Sequence, residues 1–321
     1  RRYSKRIQEK FECRYKRRAN IVTDKKNSWE NYPTGTEWAA NHPSADSIES
    51  KAAKLFSALL DQLRNCTKSK VVIAISGGSG VGKSTTAKLI HQYLEDLSIG
   101  CALIGGDEYP WRIPVQNDAE RLRILRQAGI KGMLADGVYD DNAWKELNTL
   151  QKQMVDADPK YSKLYPWHRS YLSHGRKALA GYLGSASEQD YADVQALIDA
   201  FHDGKTQIPL RKLGNEEADF HYDTGNFADK KVLLLEWTHA GNPTLQGIDL
   251  NLFLYSSPED TLERRKRRAR NANTDTPLIA LVLELEQIML NENAKHADII
   301  QLMDGKILSQ ADYLDKFGGK Q

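Results

Sequence analysis

Cysteine is scarce. Cys13, Cys66 and Cys101 are the only three in 321 residues, and they share no C-x-x-C spacing. So small and odd a set excludes a disulfide framework and fits reduced thiols in a cytoplasmic protein. Long apolar runs are missing too: none approaches the roughly 18–20 residues of a membrane span. The basic start lacks the apolar stretch of a secretory signal, and it opens at Arg1 rather than Met, as a trimmed chain would. Neither charge sign dominates. The 45 Lys plus Arg and 43 Asp plus Glu leave a formal net charge of +2, which excludes action through bulk charge but not through local patches. The eight histidines show no H-E-x-x-H or other zinc spacing. No G-x-S-x-G elbow follows a strand in a suitable place, which speaks against a serine hydrolase.

What is present is the make-up of a globular protein, 40% hydrophobic and 27% charged, long enough for one large domain or two smaller ones. Residues 1–18 carry nine Lys or Arg against two Glu, with Tyr3, Ile7, Phe11 and Tyr15 every four residues. That spacing predicts a basic amphipathic helix, either simply solvated or in contact with RNA or an anionic membrane. Residues 24–48 look like a polar loop or arm. Residues 46–65 look like a helix, with Leu55, Phe56, Leu59, Leu60 and Leu63 on one side.

From residue 71 the texture becomes α/β. Val71–Ile75 is a continuous apolar run, the mark of a strand buried on both faces. Cys101–Ile104, Val232–Leu235 and Leu250–Tyr255 are further short strands. Helices are expected over 83–97, 116–130, 141–155 and 258–296, and a helical, irregular stretch over 156–203. Asp298–Leu302 and Lys306–Leu308 flank a turn at Asp304-Gly305. Alternating strands and helices predict an α/β fold: a doubly wound, mainly parallel sheet with helices on both faces. The expected division is an N-terminal basic helical extension (1–68), a sheet domain (69–310) with a helical insertion at about 145–203, and a tail (311–321).

One motif decides the class. Gly77-Gly78-Ser79-Gly80-Val81-Gly82-Lys83-Ser84, followed by Thr85, fits the Walker A pattern G-x-x-x-x-G-K-[ST], between a strand and a helix as that motif requires. Its glycines let successive N–H groups turn toward a phosphate, and the helix N-terminus adds partial positive charge. Lys83 can reach the β- and γ-phosphates of ATP, and Ser84 can place its hydroxyl on Mg²⁺. Glu236 ends a buried strand and is a candidate for Mg²⁺ or substrate contact. Asp107, just after the second strand, is either a turn-forming residue or a general base for an acceptor hydroxyl. The run Arg264-Arg265-Lys266-Arg267-Arg268-Ala269-Arg270 fits a lid that closes on phosphate, with Arg264 and Arg268 as its cations. A nucleic-acid or localisation patch and a solvated face are its other readings. His168 and His174 sit among aromatics and arginine, as pocket lining or as ordinary packing of the insertion.

These pieces, in this order, resemble the uridine kinase/phosphoribulokinase group of P-loop small-molecule kinases over roughly residues 70–308. Ser76–Thr85 resembles the group's phosphate loop. Gly106-Asp107-Glu108-Tyr109 stands where uridine kinases carry D-x-F-Y, whose Asp is the proposed base. Tyr139-Asp140-Asp141-Asn142-Ala143-Trp144 is similar to F-D-H-P-D-A-F, which implies that Asp140 holds an acceptor hydroxyl. Gly204–Pro209 resembles the lead into the substrate pocket, Leu235-Glu236-Trp237 the F-E-G, Glu263–Arg270 the lid, and Lys295–Ile300 the K-Y-A-D-x-I-I ending. The resemblance implies a P-loop NTPase fold, with residues 69–310 as a kinase domain, and an ATP- and Mg²⁺-dependent transfer of phosphate to a small-molecule hydroxyl. Three departures point away from uridine: Leu210-Arg211-Lys212-Leu213 replaces V-Y-D-F, Trp237 replaces Gly, and Tyr109–His202 is long. Arg211 and Lys212 predict an acceptor with an anionic group. The rivals are a regulatory P-loop ATPase and a nucleic-acid-associated protein. A guanine-type N-K-x-D is absent. Nucleic acid is not the expected partner, and the state is monomer or homo-oligomer.

Overall fold

The alternation within Val71–Gly77 (β1) organises the molecule. In the computed structural model, which describes residues 29–42, 48–268 and 276–317, every residue of this strand is buried. Successive side chains point to opposite faces. Val71, Ile73 and Ile75 pack into one apolar layer, and Val72 and Ala74 into another. Such a strand must lie between helices, and it sits at the centre of a six-stranded sheet.

In chain order the elements are α1 (Gly35–Ala39), α2 (Ile48–Arg64), β1, α3 (Lys83–Asp96), β2 (Cys101–Gly105), α4 (Pro114–Ala135), α5 (Asp141–Lys152), α6 (Pro166–Tyr182), α7 (Tyr191–His202), β3 (Gln207–Lys212), β4 (His221–Asn226), β5 (Val232–Glu236), β6 (Leu250–Leu254), α8 (Pro258–Arg268), α9 (Pro277–Ala294), β7 (Ile299–Gln301), β8 (Ile307–Leu308) and α10 (Gln310–Phe317). The sheet order is β2-β5-β1-β6-β7-β8. All neighbours are parallel except β7 and β8, which form the expected hairpin. This is the doubly wound P-loop NTPase architecture.

The first layer joins β1 to α2 and α3. Leu55, Phe56, Leu59, Leu60 and Leu63 of α2 are at most 1% exposed, against Ile90 and Leu94 of α3. The described part of the extension is therefore continuous with the core of the sheet domain. Residues 29–42 also depart from the expected loop. Trp29 and Trp38 are buried in the same layer, and Thr34 caps α1 through a reciprocal pair with Glu37. Two tryptophans give this polar segment an apolar anchor that its turn formers conceal. The basic helix expected over 1–18, and Cys13 with it, lies outside the described residues.

The second layer is α7, whose Val194, Leu197, Ile198 and Phe201 meet Val72, Ala74, Leu233 and Leu235. Around the expected insertion, α6 packs along α4, and α5 closes a cluster with Leu147, Trp167 and Tyr171. The antiparallel hairpin β3–β4 is a further departure from the sequence pattern. β4 is mostly polar and exposed, and β3 is short, with Pro209 between its two apolar residues Ile208 and Leu210, so neither reads as a core strand. The helical stretch expected over 258–296 is two helices, α8 and α9, separated by residues 269–275, outside the described set. The tail's α10 packs Tyr313 and Phe317 on Tyr255.

Candidate active site

The phosphate loop leaves β1 at Gly77 and enters α3 at Lys83, as the motif requires. Gly77 has φ +147°, and a side-chain carbon there would stand 2.5 Å from the Leu254 carbonyl oxygen at the end of β6. Only glycine lets the two strand ends come this close. Lys83 opens the helix, and its ammonium donates to the carbonyls of Gly77 (2.9 Å) and Gly78 (3.1 Å), drawing the cation across the loop. Ser84 and Thr85 follow in the first, exposed turn.

Strand register brings the acidic candidates to this loop. Glu236 pairs with Ile75 of β1 on one side and with Gly105 of β2 on the other. It is thus level with a point two residues before Gly77 and two residues before Asp107. All three strands run parallel, so their C-terminal ends open on one edge, where ligands of doubly wound folds bind. Asp107 is exposed on the one-turn helix Gly106–Glu108 at that edge. Its neighbour Glu108 is turned inward and accepts from Leu213 N at 2.7 Å, anchoring the turn to the β3–β4 connection. Beneath it lies Trp237, 2% exposed, against Tyr191 and His239.

The basic helix α8 lies over the loop. Arg264 Nη1 reaches the Val81 carbonyl at 3.4 Å. Arg265 packs its Cγ 3.0 Å from the Cβ position of Gly80 and donates to Thr261 Oγ1 at 2.6 Å. Arg265 is therefore a phosphate-side cation beside Arg264. It stood in the arginine run, but only the helix phase distinguishes it. Arg268 ends α8, and its side chain lies outside the described residues.

Two sequence candidates also carry structural contacts. Asp140 is the N-cap of α5, its Oδ1 accepting from Ala143 N at 2.8 Å. The adjoining Tyr139 and Ala143 belong to the apolar cluster of the insertion. Arg211 is not the open cation that its sequence context suggests. It is 4% exposed, pairs with Asp190 Oδ2 at 2.7 Å and donates to the Pro110 carbonyl at 2.8 Å. Its guanidinium lies between the rings of Trp111 and Phe220, 5.6 and 5.1 Å from their centroids. A buried carboxylate already balances its charge, so Arg211 itself no longer argues for an anionic acceptor. Lys212 is half-buried at the end of β3, paired in register with His221.

Sequence reasoning missed a buried polar group behind the loop. Arg121 of α4 pairs with Glu188 at 2.7 Å and with Glu286 of α9 at 3.3 Å. Burial works against the Glu188 charge, yet Arg121 and the Gly184 N–H hold its carboxyl below the usual range. Glu286 is pushed above it by burial and by the neighbouring Glu188, against the pull of Arg121 and Lys83. Burial drives the His239 imidazole down to about 4, so this ring is neutral at pH 7, and its Nδ1 has no protein partner. These residues come from four separate segments, and nothing local in any of them signals the group. His168 is satisfied packing: Ser162 Oγ lies at 2.8 Å and the Asp156 carbonyl at 3.0 Å. His174 is exposed beside Asp136.

Among the described residues no three His, Cys, Asp or Glu side chains gather as a metal cage, and no helix is long and apolar enough to cross a membrane.

No family model matches the chain. Over 260 residues, 81% of this chain, it is 35% identical to a bifunctional alpha-galactosidase/sucrose kinase, AgaSK, from Mediterraneibacter gnavus. The chain spans 23% of the length of that relative. Solved structures with similar chains include a candidate fructose transport system kinase from Silicibacter sp. TM1040, at 13% identity and TM-score 0.44 over 75% of this chain and 94% of that one. Another is a possible uridine kinase from Bacillus stearothermophilus, at 15% identity and TM-score 0.39 over 79% and 98%.

Proposed function

We propose that this chain is an ATP-dependent kinase that phosphorylates a hydroxyl of a small metabolite, with a neutral saccharide as the acceptor class. One observation carries the reading. The register of β5 sets Glu236 between the phosphate loop and the Asp107 turn, so cation, carboxylates and loop share one strand-end edge. Phosphoryl transfer needs little covalent help from a protein; it needs positioned charge.

In this reading Asp107 accepts the proton of the acceptor hydroxyl, whose oxygen attacks the γ-phosphorus as the bond to the β-γ bridging oxygen breaks. Lys83, Arg264 and Arg265 offset the charge that develops on the transferring group. Mg²⁺ prefers hard oxygen donors, keeps part of its ligand set from phosphate, and offsets phosphate charge when bound. The Ser84 hydroxyl and the Glu236 carboxylate are the oxygens that would hold it. In-line transfer sets donor and acceptor on opposite sides of the phosphorus. With Asp107 on the β2–β5 side, the donor nucleoside belongs on the β6–β7 side.

The saccharide follows from two supports. Of the two activities in the name of the 35% identical relative, the kinase is the one that calls for a phosphate loop. The cation that would favour an anion, Arg211, is neutralised by Asp190. The test is ADP release from ATP-Mg²⁺ with sucrose, other mono- and disaccharides, sugar phosphates and uridine. Acceptor-dependent release with a neutral sugar is the expected result. Release that is independent of every acceptor would leave an ATPase instead, and preference for uridine or a sugar phosphate would overturn the acceptor class.

A further inference from the structure

The N-terminal extension reaches the donor side of this site. A cleft of about 180 Å³ lies against the phosphate loop, lined by Val81, Thr86, Leu254, Gln301 and Met303 and, from α2, by Ile48 and Lys51. Leu254 and Gln301 are the ends of β6 and β7. The cleft is thus on the side of the loop opposite Asp107, where in-line geometry puts the donor nucleoside.

Three contacts tie α2 to it. Ile48 Cδ1 lies 3.3 Å from the Cβ position of Gly82, against the turn that opens α3. Gln301 Nε2 donates to the Lys51 carbonyl at 2.8 Å, joining the first turn of α2 to the end of β7. The Lys51 ammonium donates to the Met303 carbonyl. An ammonium has three N–H groups and no acceptor, so beyond that bond it can offer donors to a ligand. Ile48, Val81, Leu254 and Met303 supply apolar surface for a flat ring, and Lys51 supplies the polar edge.

We propose that α2 completes the donor-nucleoside cleft, with Ile48 forming an apolar wall for the base and Lys51 donating to acceptor atoms on the base edge. The inference rests on the kinase reading and deepens it, because the phosphate loop binds any nucleoside triphosphate alike and contacts to the base are needed to choose among them. It also gives the extension a role in donor binding, which then depends on α2 being seated.

The full chain is tested as Lys51→Met, Lys51→Arg and Ile48→Ser. ADP affinity is measured by calorimetry, together with donor and acceptor KM, kcat and Tm. Loss of one ligand hydrogen bond predicts about 3–10-fold weaker ADP binding by Lys51→Met, a donor KM raised by a similar factor, and kcat and acceptor KM unchanged. Lys51→Arg should recover most of the loss, and Lys51→Met should change the preference for ATP over GTP. Ile48→Ser should weaken ADP without a matching fall in Tm. Variants that lose Tm but bind ADP like the wild type would overturn the role of α2 alone. A wild-type chain that does not bind ADP, or a Lys83→Ala chain that binds it equally well, would overturn the kinase reading and this inference together.

Discussion

Gly106 and Trp237 fit as one unit: a side-chain carbon on Gly106 would stand 1.9 Å from Trp237 Cγ. The indole fills the space that a residue at 106 would need, directly beneath the turn that carries Asp107. Gly106→Ala should therefore force the turn outward. Overpacking of this kind typically costs ~1–3 kcal/mol. The turnover rate should fall further than the stability loss explains, because Asp107 is displaced. Gly106→Ala combined with Trp237→Gly, which removes the clashing Cβ and Cγ together, should be less destabilising than the sum of the two single variants. The double variant is measured by denaturation and by steady-state rate; simple additivity would show that the two residues are not coupled.

Lys83→Ala and Asp107→Asn separate charge stabilisation from proton transfer. Lys83→Ala should lose turnover by orders of magnitude with the fold intact. Asp107→Asn keeps shape but cannot take a proton, and should lower kcat by about 10²–10⁴-fold while ADP affinity stays level. An unchanged kcat with a raised acceptor KM would make Asp107 a binding residue and move the base to Glu236.

Arg211 is expected to act on stability. Arg211→Ala leaves Asp190 buried and unpaired, at a typical cost of about 3–5 kcal/mol. Replacing both partners, as Arg211→Met with Asp190→Leu, should cost less. The check is a denaturation series alongside acceptor profiles. A selective loss of anionic acceptors in Arg211→Lys, with stability unchanged, would restore the charged-acceptor reading.

His239 makes stability depend on acidity. Its folded value, about 4, lies below the ordinary value of 6.5. Between these two the unfolded chain holds more protons, so stability rises with pH across that window and is fully present above it. Its neighbours are Glu188, Arg121 and Lys83. Glu286, raised by burial, works in the opposite sense, its contribution fading as pH climbs past the ordinary carboxylate range. The His239 share is read as the difference between wild type and His239→Gln. The stability gap between the two should narrow from pH 7 to pH 5 by ~1–3 kcal/mol. A constant gap would mean the ring titrates normally.

Leu59→Ala tests whether the extension belongs to the core. Leu59 is 0% exposed and faces the layer beneath β1. A loss of about 2–5 kcal/mol in a single unfolding transition is expected. A second, independent transition would show instead that α2 unfolds on its own.

The sequence determined whatever depends on neighbours along the chain. Gly77–Ser84 specifies its loop locally, because a strand, glycines, a lysine and a helix start follow one another without a break. Val71–Ile75 announces burial on both faces by its unbroken apolar run. Tertiary structure decided which side chains meet. Glu236 stands beside both Lys83's loop and Asp107's turn because β5 lies between β1 and β2, an order that no local pattern encodes. Arg211 reads as an open cation until α7's N-cap, Asp190, is brought against it, and the cap that Asp140 gives its own helix shows only once α5 has formed. Charge balance and capping depend on partners, and for Arg211 that partner is 21 residues away. The placement of Ile48 and Lys51 lay furthest from view: their contacts with Gly82 and Met303 exist only once α2 has docked on the sheet.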